Sequence, residues 1–240
     1  MSFLATLQSA RQNGRKLLAV LLDPDKLANH DFDTVIHAVN QSPATHVFVG
    51  GSRVAEGRTT QLVAALKQGC QLPVILFPGH PSQVCRQADA LLLLSLVSGR
   101  NPDYLIGHHV QSAKTLKDSG LEISPTGYLL IDGGKKSAVE EVTSTPALTN
   151  DDEIVSTALA SQLLGHQLVY LEAGSGAARP VLPQTIGKVA RELQIPVIAG
   201  GGIRSKNGIS DAHQAGATLV VIGTAFEENL DFFNQPSIAP

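Results

Sequence analysis

The chain has 240 residues, 43% of them hydrophobic and 16% charged, a balance that suits a globular protein with enough apolar material for a large core. Its formal net charge is −3, and no clustered Lys/Arg run offsets that, so the electrostatic footprint of a nucleic-acid-binding protein is absent. The longest apolar stretch, Ala88 to Val97, is broken by Asp89 and Ser95 and falls short of a transmembrane helix.

Residues 3 to 13 spell a short amphipathic helix closed by Gly14, with glycine at a position that suits a helix C-terminus. The segment is not a basic stretch followed by an apolar run, so no signal peptide is expected. Lys16 to Leu22 is a continuous apolar run, the pattern of a strand buried on both faces in a parallel sheet. Pro24 cannot continue a central strand, which makes Asp23 its carboxyl end. The same alternation then repeats: a helix from His30 to Gln41, a strand from His46 to Val49 ending in Gly50-Gly51-Ser52, and a helix from Thr59 to Lys67. Strand three is Pro73 to Phe77, a short helix opens at Pro81 and runs to Gln87, and strand four is Ala90 to Leu94. A helix covers Asp103 to Ser119 and strand five covers Gly127 to Ile131.

One long interruption, Asp132 to Asn150, follows; a loop of that length inside a compact domain is usually functional or mobile. Helix Ile154 to Leu164 leads to strand six at Leu168, helix Pro183 to Leu193 to strand seven at Pro196, and helix Ser205 to Ala215 to strand eight at Thr218. A last helix, Ala225 to Phe233, and a proline-bearing tail complete the chain. Eight strands alternating with helices point to an α/β protein, a (β/α)8 TIM barrel occupying residues 1–240 as one domain. An open doubly wound sheet is the alternative, and both architectures place chemistry at the carboxyl ends of the strands.

The chemistry of those ends falls into two groups. Leu168-Val-Tyr-Leu-Glu172 reads as a buried strand that runs into Ala173-Gly174-Ser175-Gly176, with Glu172 at the junction. Two more glycine-rich ends follow, Ala199-Gly200-Gly201-Gly202 and Ile222-Gly223-Thr224. Loops after the last strands of a barrel, with the start of a short extra helix, frequently cradle a phosphate. Tight turning alone would also permit these glycines, and explains Gly223 better than it explains Gly200-Gly201-Gly202. On the other side Asp23 and Ser52 are oxygen donors suited to a hard cation, which substrate phosphates would complete. Asp25 is a further candidate ligand or a helix N-cap.

The combination Leu21-Leu-Asp-Pro-Asp-Lys26, Val49-Gly-Gly-Ser52, Gly127-Tyr-Leu-Leu-Ile-Asp-Gly-Gly134, Tyr170-Leu-Glu-Ala-Gly-Ser-Gly176, Ala199-Gly-Gly-Gly-Ile203 and Ile222-Gly-Thr224 resembles the geranylgeranylglyceryl phosphate synthase family. These are TIM-barrel prenyltransferases, and the likeness spans nearly the whole chain. It implies a prenyl diphosphate donor, sn-glycerol 1-phosphate as acceptor and Mg2+ as cofactor. By the family pattern Asp23 and Ser52 match the metal positions. Tyr170, Leu171, Glu172, Ala173, Gly174, Ser175 and Gly176, with Gly201, Gly202, Gly223 and Thr224, match the glycerol phosphate positions. One position departs: related bacterial enzymes carry a lysine two residues before the metal aspartate, and Leu21 stands there.

Glu172 is then the expected proton acceptor for the glycerol hydroxyl. Tyr170 is either the group that orients that hydroxyl or a stacked core aromatic. Lys135 and Lys136 could face a diphosphate, although adjacent lysines are usually a solvated pair. His80 could line the site, and Tyr104 could meet a prenyl chain or pack a helix on the barrel; His108 and His109 carry no assigned chemistry. The apolar product implies transient membrane contact, and the family implies a homo-oligomer, dimer or hexamer. Cys70 and Cys85 have neither metal-type spacing nor the density of a disulfide framework, which fits a reduced, cytoplasmic compartment. Two other classes fit the phosphate loops less fully: a phosphosugar isomerase, which would need no metal, and a non-catalytic sensor of a phosphorylated metabolite.

Overall fold

The apolar runs become the staves of a barrel in the structure, a computed structural model that describes residues 2–28 and 30–234. Strands β1 (Leu17–Leu22), β2 (His46–Val49), β3 (Val74–Leu76), β4 (Ala90–Leu96), β5 (Glu122–Leu130), β6 (Leu168–Glu172), β7 (Val197–Gly200) and β8 (Leu219–Ile222) are hydrogen-bonded in chain order. Every pairing is parallel, and β8 returns to β1 with Leu17 opposite Leu219 and Val20 opposite Ile222. Eight strands leave an interior just wide enough for side chains to fill.

The strands read as unbroken apolar runs because both of their faces are buried. Successive side chains alternate between the two. Ala19, Phe48, Ile75, Leu92, Tyr170 and Ile198 point inward and pack together. Val20, Val47, Leu76, Leu91, Leu171 and Val220 point outward, against the helices. Those helices are α2 (Phe32–Gln41), α3 (Arg58–Gly69), α4 (His108–Lys117), α6 (Asp151–Leu163), α7 (Pro183–Glu192) and α8 (Lys206–Gln214).

The amino-terminal helix, α1 (Phe3–Gln12), does something different. Its Phe3, Leu7 and Ala10 belong to the interior cluster, with the Phe3 ring edge-on to His46 and Phe48 at centroid distances of 5.3 and 6.0 Å. The first orphan amides of the helix, Phe3 N and Leu4 N, donate to the Glu122 carboxylate at 2.7 and 2.8 Å. The helix is thus a stopper across the amino ends of the strands, which leaves the carboxyl ends as the open mouth.

Several boundaries differ from the sequence expectation for identifiable reasons. β5 begins at Glu122 rather than Gly127; Pro125 obscured it, yet pairs in register with Leu93 of β4. The short helix after β3 is a 3-10 turn, Pro81–Gln83, and the helix before β5 opens with a π-helical turn, Asp103–Gly107, ahead of α4. α2 starts at Phe32, because the Asp31 carboxylate caps it by accepting from Asp33 N. The long interruption contains a helix, α5 (Ala138–Thr143), started by a capping box in which Ser137 and Glu140 each satisfy the other's backbone amide. The final helix, α9 (Thr224–Glu228), has five residues, with Phe232 and Phe233 lying beyond it in a turn. The proline-bearing tail lies outside the described residues.

If the Glu122 carboxylate docks α1, Glu122→Ala should cost about 1–3 kcal/mol through the two half-buried amides it leaves unpaired. The urea midpoint should drop accordingly, while catalytic constants at the far end of the barrel stay at wild-type values.

Candidate active site

Inward and outward alternation along β6 brings Tyr170 and Glu172 to the barrel mouth and sends Leu171 and Ala173 outward. The predicted stretch Tyr170 to Gly176 therefore splits. Tyr170, Glu172, Ser175 and Gly176 line one polar pocket. Leu171 and Ala173 bury their side chains against the helix layer, which limits them to backbone roles.

Glu172 is 5% exposed. Its Oε1 accepts from Gly174 N at 2.6 Å, so the turn after the strand binds the carboxylate that precedes it. Burial is the main influence on its proton affinity and pushes its pKa from 4.5 up to about 7, against opposing help from the Gly174 amide, Tyr170 and Lys26. No cation is paired with it among the described residues. Gly201, from the β7 loop, closes over this group with φ +79°; a Cβ there would collide with Glu172 Oε1 and lie 2.6 Å from Gly174 N. Only glycine combines that backbone with that approach.

Tyr170 is fully buried, its ring stacked on Phe77 at 5.1 Å and beside Tyr128 at 5.5 Å. Tyr170 is thus a stacked core aromatic that also lines the pocket. Burial and the adjacent Glu172 charge push the Tyr170 hydroxyl well above the ordinary tyrosine range. The hydroxyl nevertheless completes no hydrogen bond of normal geometry among the described residues. Its nearest acceptor is the Glu172 carboxylate, whose charged form it favours.

Asp23 and Ser52 stand on the opposite wall of the same pocket. The Asp23 carboxylate accepts from Asp25 N at 3.0 Å, and a Cβ on Gly51 would run into it; glycine lets the β2 loop close on the β1 loop. Burial raises the Asp23 pKa, with further upward pressure from Glu227, while the Asp25 amide and Lys26 oppose the rise. Asp25 is neither a pocket ligand nor a helix cap. Both of its oxygens accept from Ala55 N, at 3.2 and 3.0 Å, and latch the two loops together.

Gly201 and Gly202 from the β7 loop, with Gly223 and Thr224 beside the β1 loop, complete the pocket. The Thr224 hydroxyl is 3.2 Å from Ser175 Oγ, so the loops after β6 and β8 touch. With α9 only five residues long, helix-dipole help there is small, and hydroxyls and glycine backbone dominate the cradle. Other strand ends turn away. Asp132 is engaged by Arg179, Ser95 is buried in the wall, and Lys135 and Lys136 stay outside the pocket lining. Lys26, Glu227 and Tyr128, which sequence reasoning did not single out, do line it. Lys26 stood inside a quoted motif; Glu227 looked like an ordinary acidic residue on a terminal helix.

A second, apolar cavity adjoins the first and shares Gly51, Ser52, Phe77, Tyr128 and Val139 with it. It runs between β4 and α4, floored by residues such as Leu91, Leu93 and Leu116. Tyr104, His80 and His108 form one wall, His108 lying edge-on to Tyr104 at 4.8 Å and to His80 at 5.2 Å. The histidines and Tyr104 thus belong to the apolar cavity, separate from the carboxylates.

Residues 11–236 match the PcrB family. The geranylgeranylglyceryl phosphate synthase of Flavobacterium johnsoniae is 52% identical over 227 residues, covering 94% of this chain and 93% of that one. This chain belongs to the geranylgeranylglyceryl phosphate synthase family. The synthase of Zunongwangia profunda is 50% identical over 91% of this chain and 94% of its own. Among solved structures, the Thermoplasma acidophilum synthase in complex with sn-glycerol-1-phosphate superposes with a TM-score of 0.89 at 31% identity, covering 98% of this chain and 95% of that one. Family membership covers the barrel from its first strand to its last helix.

Two outcomes follow from this geometry. Gly201→Ala should leave a folded barrel but lower turnover by an order of magnitude or more, since the added methyl meets Glu172; wild-type rates would show that the loop yields freely. The second concerns stability. The folded-state pKa of Glu172 lies above its unfolded value, so folding binds a proton between about 4.5 and 7, and the group's contribution to stability is lost as pH rises through that window. Glu172→Gln removes the loss. Its melting temperature relative to wild type should be higher near pH 8 than near pH 4; a difference independent of pH would contradict the raised value.

Proposed function

We propose that this synthase-family chain transfers a geranylgeranyl group from its diphosphate to the 3-hydroxyl of sn-glycerol 1-phosphate, making an ether bond and releasing diphosphate. The observation that carries the reading is the junction of the two cavities. A polar pocket holding a buried, uncompensated carboxylate opens across Ser52, Phe77 and Tyr128 into an apolar cavity. A small phosphorylated alcohol suits the first and a prenyl chain suits the second, and the reacting atoms would meet at the shared wall.

In the reaction the bond between the allylic carbon and the diphosphate oxygen breaks, and the electron pair leaves with diphosphate. The acceptor's 3-hydroxyl oxygen forms the new bond to that carbon, and its proton passes to Glu172. Burial readies the carboxylate for this, since a base with a pKa near the working pH combines ionised population with proton affinity. The unpartnered Tyr170 hydroxyl can hold the acceptor oxygen in line. Gly201 and Gly202 let backbone approach the phosphate end, where Ser175 and Thr224 offer hydroxyls.

The donor set on the β1 side fits Mg2+. Asp23 and Ser52 are hard oxygen donors on one wall. Among the described residues no group of three or more His, Cys, Asp and Glu is arranged to hold a metal. One carboxylate and one hydroxyl suit an ion that keeps waters and is completed by diphosphate oxygens. When bound, such an ion supplies positive charge beside the leaving diphosphate.

No described helix is long and apolar enough to cross a membrane, so contact with the bilayer would be transient, at delivery of the lipid product. A cytoplasmic location is supported by the unpaired Cys70 and Cys85. Association into a homo-oligomer, a dimer or a hexamer, is supported by exposed apolar side chains on helices, among them Ile106, Val110 and Leu163.

The direct test incubates the protein with radiolabelled sn-glycerol 1-phosphate and geranylgeranyl diphosphate, with Mg2+ or with chelator, and extracts into organic solvent. Label should enter the organic phase only with Mg2+; no transfer from prenyl diphosphates of any length would overturn the reading. Glu172→Gln should lower kcat by about 10²–10⁴-fold, the usual range for a general base, and leave acceptor binding nearly intact.

A further inference from the structure

Lys26 lies where the loops after β1, β6 and β8 converge. The turn that carries it is pinned by the fully buried Leu27, whose amide donates back to Asp23 O at 3.2 Å. From that anchor the side chain reaches across the mouth. Its ammonium donates to Ser175 Oγ at 2.9 Å, to Thr224 Oγ1 at 3.3 Å and to Glu227 Oε2 at 2.8 Å. All three protons of the ammonium are thereby directed, two of them at the hydroxyls of the glycine-rich cradle.

Glu227 is the reason the lysine stays there. It is 8% exposed, and its second oxygen, Oε1, accepts from Asp23 N at 2.8 Å. One buried carboxylate therefore fixes both the lysine of the cradle and the backbone of the aspartate three residues before it in the same loop. The parallel pairing of β1 with β8 makes this possible, since it sets the β1 loop beside the start of α9.

A lysine serving only as counter-ion to Glu227 would need that one contact. Lys26 also touches two hydroxyls from the segments that follow two different strands, and Ser175 and Thr224 are 3.2 Å apart. A hydroxyl both donates and accepts. These two can accept from the ammonium while turning their own protons toward an anion, so lysine and hydroxyls together present positive charge and donors to one small volume. Compact ammonium groups serve as point charges for phosphate in this way.

We propose that Lys26 binds the phosphate of the glycerol phosphate acceptor, and that Glu227 is the positioning residue that holds Lys26 in the cradle and ties it to the Asp23 loop. The assignment rests on the acceptor reading given above. It explains why the β6 and β8 loops need not carry a cation of their own.

The test compares wild type, Lys26→Gln, Lys26→Arg, Glu227→Gln and the double variant Lys26→Gln/Glu227→Gln. Steady-state kinetics varies each substrate in turn, and calorimetry measures binding of sn-glycerol 1-phosphate. Loss of the ammonium charge and of the hydroxyl donors it orients in Lys26→Gln should raise the KM and Kd for glycerol phosphate by about 10–100-fold, with the KM for geranylgeranyl diphosphate unchanged. Lys26→Arg should restore part of the affinity. Glu227→Gln should shift the same constant in the same direction, and the double variant should add little to Lys26→Gln, as expected of residues acting through one contact.

Unchanged acceptor affinity in a folded Lys26→Gln protein would overturn the assignment. So would equal increases in both KM values, or additive effects of the two substitutions on acceptor affinity. Wild-type protein that binds glycerol phosphate without transferring label would strike the proposed reaction instead, and Lys26 would be judged by the calorimetry.

Discussion

A carboxylate buried at the end of β6 with no cation paired to it among the described residues is the constraint around which this molecule is arranged. Glu172 is held by the Gly174 amide at 2.6 Å and closed over by Gly201, which can come so near only because it lacks a Cβ. Burying such a group disfavours its charged form. The apolar burial of the rest of the barrel offsets that cost. The interior is filled with apolar side chains and the lower end is stoppered by α1, whose first amides are satisfied by Glu122. Stability and chemistry thus occupy opposite ends of the same strands.

The mouth joins two environments that rarely coexist in one site. Toward β6, β7 and β8 it offers hydroxyls, glycine backbone and the Lys26–Glu227 pair; toward β4 and α4 it offers leucine side chains and aromatic edges. Phe77 and Tyr128 belong to both sides. The Phe77 ring stacks on Tyr170 and the Tyr128 ring lies tilted beside both, forming the partition across which a hydroxyl and an allylic carbon would meet. The capped helix α5 supplies Val139 to the same partition, so the long connection after β5 is an ordered wall of the site.

Much of this was legible in the residue order. Continuous apolar runs identify strands buried on two faces, and glycine clusters after the last three mark the cradle. Glu172, Tyr170, Asp23 and Ser52 do share one pocket, as expected. What escaped did so for physical reasons. Pro125 looks like an interruption but pairs in β5. The Ser137 to Glu140 capping box was the signal for α5 and lay inside a Thr/Ser-rich stretch that reads as loop. The apolar cavity draws Val84, Leu93, Tyr104 and Leu116 from separate elements, and no local period links them. Glu227 has no sequence signature at all; its burial depends on β8 returning to β1.

The proposed chemistry turns on Glu172 being a neutral acid below, and a base above, a pKa displaced to about 7 by burial. An infrared titration of carboxyl and carboxylate bands, taken as the difference between wild type and Glu172→Gln, measures that value directly. It should be paired with the pH dependence of kcat/KM. One carboxyl should titrate near pH 7, and the acid limb of the rate profile should fall at the same place. A Glu172 band titrating in the ordinary glutamate range, with a rate profile flat through neutrality, would contradict the account.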